Sequence, residues 1–166
     1  MRPHWVCLRS ADMEQLMTEA IRLDAAARYV PPTSGQLAAA RDIVGRFAEH
    51  WDQPRADDLR DLMHPDTQNL IPPMKTPGNR EDVVELFRQV LQQLPDLRIA
   101  VERWAPTENA VMIEWRASAS VAGQPLSWTG VDRFCLQDDR MIEGRVYWDT
   151  RGLAERIAAI AAQAGS

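Results

Sequence analysis

A change of hydrophobic period at Asp96 constrains this chain more than any other feature. Before that point apolar residues recur at helical spacing; after it they recur at every second residue, in four successive runs. The runs are Leu97, Ile99, Val101; Val111, Ile113, Trp115, Ala117; Leu126, Trp128, Gly130, Asp132, Phe134, Leu136; and Ile142, Gly144, Val146, Trp148. The segments between them, Pro106-Thr107-Glu108-Asn109, Ala122-Gly123-Gln124 and Asp138-Asp139-Arg140, are turn compositions too short for a crossover helix. The four strands must therefore follow one another as an antiparallel meander. Such a sheet has one apolar face to cover.

The upstream half supplies the cover. Met13, Leu16, Met17, Ala20, Ile21 and Ala27 mark a helix over Asp12–Tyr29, stopped by Val30-Pro31-Pro32-Thr33-Ser34-Gly35. A second helix is expected over Gln36–Trp51, with Leu37, Ala40, Val44, Phe47 and Trp51 on one stripe, and a short third over Asp57–Met63, ended by His64-Pro65-Asp66. Thr67–Ile71 reads as a strand cut by Pro72-Pro73, and Asn79 can cap a helix over Arg80–Leu94. Leu153–Ala164 forms the last helix, with Leu153, Ile157 and Ile160 inward. Helices first and a meander afterwards give an α+β domain in which a curved antiparallel sheet wraps the helices. Residues 1–35 are read as a helical extension and linker, and 36–166 as the main domain.

Composition narrows the function classes. With a net charge of −5 and Lys75 as the one lysine, no basic stripe exists for phosphates, so nucleic acid is not an expected partner. No apolar run reaches the roughly 18 residues of a bilayer crossing, so no membrane partner is expected. Met1–Arg9 lacks the apolar block and cleavage site of a secretory signal, making the cytoplasm the expected compartment. Cys7 and Cys135 show no metal or disulfide spacing, and there is no His/Asp/Glu ligand pattern, phosphate loop or serine elbow, so neither metal nor cofactor is expected. Six of the 11 aromatic residues are tryptophans, rings that cost much to leave exposed. Phe47, Trp51, Trp115, Trp128, Phe134 and Trp148 all lie on inward stripes. Some must be plain core, but three inward tryptophans on neighbouring strands suit a pocket for a flat, apolar ligand, with Val146 beside them.

Asp132 is the anomaly. It shares the parity of Leu126, Trp128, Phe134 and Leu136, which sets a carboxyl group on an otherwise apolar face. Burial there disfavours the anion, leaving a neutral donor or a base poised for proton transfer; the competing reading is a structural carboxylate satisfied by an Arg, an amide or water.

The element order, with Ile43-Val44-Gly45-Arg46-Phe47 through Trp51, His64-Pro65-Asp66-Thr67, Gly130-Val131-Asp132-Arg133-Phe134 and Met141-Ile142-Glu143-Gly144-Arg145-Val146-Tyr147-Trp148-Asp149, resembles the NTF2-like superfamily over about Gln36–Leu153. Ketosteroid-isomerase-like and SnoaL-like proteins belong to it. The resemblance implies a cone whose open end holds an apolar pocket, on a scaffold serving isomerases, cyclases, epoxide hydrolases, dehydratases and binding proteins. Asp132 falls where ketosteroid isomerases place an acid in the oxyanion hole. Phe47 stands where they carry the partner tyrosine, and the Asn69-Leu70-Ile71 region lacks their proton-moving aspartate. Trp115, Ala117 and Val146 fall where limonene-epoxide-hydrolase-like members carry Arg, Asp and Asp. SnoaL-like cyclases use an aspartate and histidines around the final strand, where this chain offers Asp149 alone.

Secondary candidates follow. Asp149 is a possible site acid or a helix cap, and Asn69 a pocket amide or a turn residue. His50, flanking the second helix's stripe, is a proton carrier at the cone mouth or a boundary residue, whereas His64 is read as structural. Two function classes result: a cofactor-free isomerase, cyclase or dehydratase acting on a small apolar carbonyl compound of polyketide, terpenoid or steroid-like type with Asp132 as acid or base, or a noncatalytic ligand-binding or dimerisation domain. A second titratable group beside Asp132 would favour the first. Met112, Val131, Cys135 and Met141 on the opposite parity suggest a homodimer through the outer sheet face.

Overall fold

The structure, a computed structural model, describes residues 30–164. The helix expected over Asp12–Tyr29 and the thiol Cys7 lie outside the described residues. Helix α1 (Ser34–Asp52) is followed by a 3-10 turn (Ala56–Asp58), the one-turn α2 (Leu59–Leu62), strand β1 (Met63–Leu70), α3 (Arg80–Gln93), strands β2 (Arg98–Pro106), β3 (Ala110–Val121), β4 (Gln124–Gln137) and β5 (Arg140–Trp148), and α4 (Thr150–Ala164). The strands form one sheet in the order β1-β5-β4-β3-β2. No helix among the described residues is long and apolar enough to cross a membrane.

Local chemistry explains the boundaries. Helix α1 starts two residues before the expected Gln36, because Thr33 and Gln36 close a capping box: Gln36 N–H donates to Thr33 Oγ1 at 3.2 Å and Thr33 N–H to Gln36 Oε1 at 2.8 Å. Asn79 caps α3 as expected, accepting from the amides of Glu81 and Asp82. The third helix is shorter than its apolar pattern, ending at Leu62, and β1 begins at Met63 rather than Thr67.

The meander is antiparallel from β2 to β5, and β1 joins its edge parallel to β5. Its tight turns use left-handed backbone at Ala122-Gly123 and Asp138-Asp139, the geometry a two-residue hairpin requires. Extra residues in β2 and β5 shift register between Val101 and Arg103 and between Cys135 and Leu136. Such bulges bend a sheet, and its concave side receives α1 and α3. Ile43, Ile113, Trp115, Val84 and Leu97 are fully buried between them.

The second bulge corrects one expectation. Cys135 pairs with Glu143 but Leu136 pairs with Met141, so Ile142 is the extra residue and the parity of β5 flips there. Met141 accordingly points inward, 4% exposed, and does not belong to the outer face.

Candidate active site

Asp132 is held in the middle of the sheet, opposite Ile113 on β3 and Val146 on β5, and is 5% exposed. It borders a cavity of about 40 Å³ closed by Phe47 and Trp51 of α1, Asn69 of β1, Phe134 of β4 and Val146 of β5. Leu59, Leu62, Met63, Ile71, Val83, Phe87 and Met141 complete the wall. Asp132 is the one titratable side chain among these residues. A space of this size holds a small polar group or a few water molecules.

Neighbouring small residues make the arrangement possible. The indole of Trp115 lies over Gly130, and the Asn69 side chain lies over Gly144, where an added Cβ would meet Asn69 Oδ1 at 2.1 Å. Two backbone gaps on the inward parity thus seat two large side chains on either side of the acid. Asn69, 3% exposed, is fixed by donating to Thr67 Oγ1 at 3.0 Å.

Burial pushes the Asp132 carboxyl up to about 7. The neighbouring indole N–H of Trp115 opposes this, and only weakly, since neither Trp115 Nε1 nor Asp132 Oδ1 completes a hydrogen bond. Arg133 and Arg145 point to the other face, where both meet Glu143, Arg145 at 3.2 Å. No cation therefore offsets the desolvation of Asp132. Trp51, 2% exposed, also carries a buried indole N–H without an acceptor.

The other expected site residues divide sharply. Phe47, Trp51, Asn69, Phe134 and Val146 share the Asp132 cavity. Trp115 does not line it; 1% exposed and edge-on to Trp148 at 5.7 Å between centroids, it packs beneath the acid. Trp128 and Trp148 line a separate chamber: Trp148 pairs with Gly130, one inward position from Asp132, and Trp128 lies two residues farther along β4. His50 is also absent from the cavity wall. It stands edge-on to Trp51 at 5.0 Å with a buried, unpartnered Nε2, and burial lowers its pKa against the opposing pull of Asp58. Asp149 is exposed and accepts from Gly152 N–H at 2.9 Å, so it caps α4 rather than joining the acid.

Sequence reasoning missed seven of the wall residues, Phe87, Met63 and Met141 among them. Phe87 was legible as the buried face of α3, but Met63 and Met141 depend on bridge pairing between β1 and β5, which period alone does not reveal. Among the described residues no three His, Cys, Asp or Glu side chains gather where they could hold a metal ion.

The fold has known counterparts. The fold matches a protein from Jannaschia sp. CCS1 assigned as a SnoaL-like polyketide cyclase, with a TM-score of 0.68 and 19% identity over 78% of this chain and 99% of that one. IdmH from Streptomyces antibioticus, assigned as a polyketide cyclase, matches with a TM-score of 0.65 and 19% identity over 72% and 98%. An NTF2-like protein from Anabaena variabilis matches with a TM-score of 0.62 and 18% identity over 76% and 98%. No curated protein sequence matches the chain. The model of the SnoaL-like domain matches residues 44–144, which include the acid, both glycine gaps and every strand residue of the cavity wall except Val146; the chain belongs to the SnoaL-like family of the NTF2-like superfamily.

Proposed function

We propose that this chain is a cofactor-free acid–base enzyme, an isomerase, cyclase or dehydratase, acting on a small apolar carbonyl compound, with Asp132 moving the proton. The observation that carries the reading is a single carboxyl group, raised to about 7, facing an apolar cavity. A group with that pKa is populated in both forms near neutrality, the condition under which one residue can take a proton and return it.

The step is simple to write. The Asp132 carboxylate takes a proton from carbon next to a carbonyl; the C–H electron pair moves into the C–C bond and the carbonyl π pair onto oxygen, giving an enolate. The neutral acid then returns its proton at another carbon or at an oxygen. The unpartnered Trp51 N–H in the same wall is a donor for the developing charge. The assignment of the Jannaschia and Streptomyces proteins as polyketide cyclases fits enolate chemistry on this scaffold.

A ligand-binding domain is the second reading, favoured by the lack of another titratable group on the cavity wall. Exchange of α-protons of 4-phenylbutan-2-one in deuterated water, followed by NMR, separates the two. The enzyme reading expects exchange above the buffer rate, falling by roughly two orders of magnitude in Asp132→Asn. Exchange at the buffer rate, or an equally active variant, overturns it.

A further inference from the structure

The Asp132 cavity has a neighbour. Ile71 and Phe87 border both it and a second chamber of about 120 Å³. The remaining wall of that chamber is carbon: Leu86 and Val90 of α3, Pro72 and Pro73, Leu97 and Ile99 of the segment entering and beginning β2, and the rings of Trp128 and Trp148. No ionisable side chain lines it. Two adjoining spaces therefore differ in kind, one of about 40 Å³ with a carboxyl group, the other larger and apolar.

Their sizes set the shape of a fitting ligand. An apolar cavity of about 150 Å³ stays dry and takes up benzene, so 120 Å³ matches one six-membered ring or a branched alkyl group of similar bulk. A fused polycycle exceeds it. The shared wall is held from one side, since Phe87 packs edge-on against Trp51 at 5.1 Å.

We propose that this second chamber is a specificity subsite for a single compact apolar substituent of a ligand whose carbonyl end reaches Asp132, the connecting atoms passing Ile71 and Phe87. The proposal rests on the acid–base reading above for the carbonyl end. It narrows the substrate class to monocyclic or comparably compact carbonyl compounds and sets aside four-ring skeletons. Leu86, Val90, Trp128 and Trp148 are the residues that read the substituent.

The test uses the full chain and three probes: butan-2-one, 4-phenylbutan-2-one and 4-(naphthalen-2-yl)butan-2-one, titrated while the Trp128 and Trp148 indole N–H signals are followed by NMR. Burying a ring should make the phenyl ketone bind at least about tenfold tighter than butan-2-one, with shifts at Trp128 and Trp148. The naphthyl ketone should bind at least about tenfold more weakly than the phenyl ketone, because it overfills the chamber. Val90→Trp should reduce phenyl-ketone affinity to that of butan-2-one. Should that variant not fold, Leu86→Ala decides, since the enlarged chamber must then admit the naphthyl ketone with a gain of about tenfold. Equal binding of butan-2-one and the phenyl ketone overturns the subsite, as does naphthyl binding as tight as phenyl or indifference to both variants. Ring-selective binding without α-proton exchange overturns the acid–base reading and leaves the subsite standing. Exchange without ring selectivity overturns the subsite alone.

Discussion

The indole of Trp115 lies across Gly130 so closely that a Cβ on that glycine would sit 2.3 Å from Trp115 Cζ2 and 2.9 Å from the Tyr147 carbonyl oxygen. The two residues face each other in register on β3 and β4, and Asp132 follows two positions later on the same face. Gly130→Ala should therefore force Trp115 out of its seat. We expect a loss of about 1 to 3 kcal/mol from overpacking, read in a urea melt. The Asp132 carboxyl should titrate still higher, because the displaced indole N–H no longer favours the anion. An alanine variant as stable as the parent would contradict the packing argument.

Asp149 provides the control. Its carboxylate accepts from Gly152 N–H and stabilises the first turn of α4, away from the Asp132 cavity. Replacing it by Ala should cost about 0.5 to 2 kcal/mol of stability. Ketone binding and α-proton exchange should not change; a selective loss of either at unchanged stability would return Asp149 to the site.

The outer sheet face leads to a different expectation. Val131 and Tyr147 pair across β4 and β5 there, Tyr147 is 55% exposed, and Met112 and Cys135 lie half-buried alongside. Their charged neighbours Arg133 and Arg145 share the carboxylate of Glu143, so the patch has an apolar middle and an ion-paired, polar rim. We expect a homodimer at micromolar concentration in sedimentation, converted to a folded monomer by Val131→Lys. A wild-type chain that sediments as a strict monomer at that concentration removes the claim.

Strand parity was enough to set Asp132 on the buried face, because one acid in an alternating run can only go where the alternation puts it. Parity likewise put Phe134 and Val146 on that face, and the helical stripe of α1 put Phe47 and Trp51 toward the core. Parity did not reveal where along the sheet each ring falls, and that distance separates Trp128 and Trp148 from the acid. Met141 escaped for another reason: the bulge at Ile142 reverses the alternation, and nothing in a period-two pattern marks an inserted residue. The seat of Trp115 on Gly130 needed the β3–β4 register, although a glycine among inward positions was visible from the start. The Thr33-to-Gln36 capping box was legible as well, and it fixes the start of α1 two residues earlier than the apolar stripe alone suggests.

The pH dependence of stability isolates the acid itself. Asp132 titrates near 3.8 when unfolded and at about 7 when folded, so between these values the folded chain keeps a proton that the unfolded chain has released. Stability therefore falls as pH rises through that window, and above about 7 the full penalty is in place, on the order of 4 kcal/mol at most. His50 acts in the opposite sense. Burial lowers its folded pKa, so its contribution is lost as pH falls below 6.5 and partly masks the slope in the wild type. The difference between wild type and Asp132→Asn cancels His50 and leaves the carboxyl group. Urea melts of both, from acid to mildly alkaline pH, should show the variant gaining on the wild type across the window and holding that gain above it. A difference that stays flat would mean an ionised, satisfied carboxylate at Asp132, and the acid–base reading would fall with it.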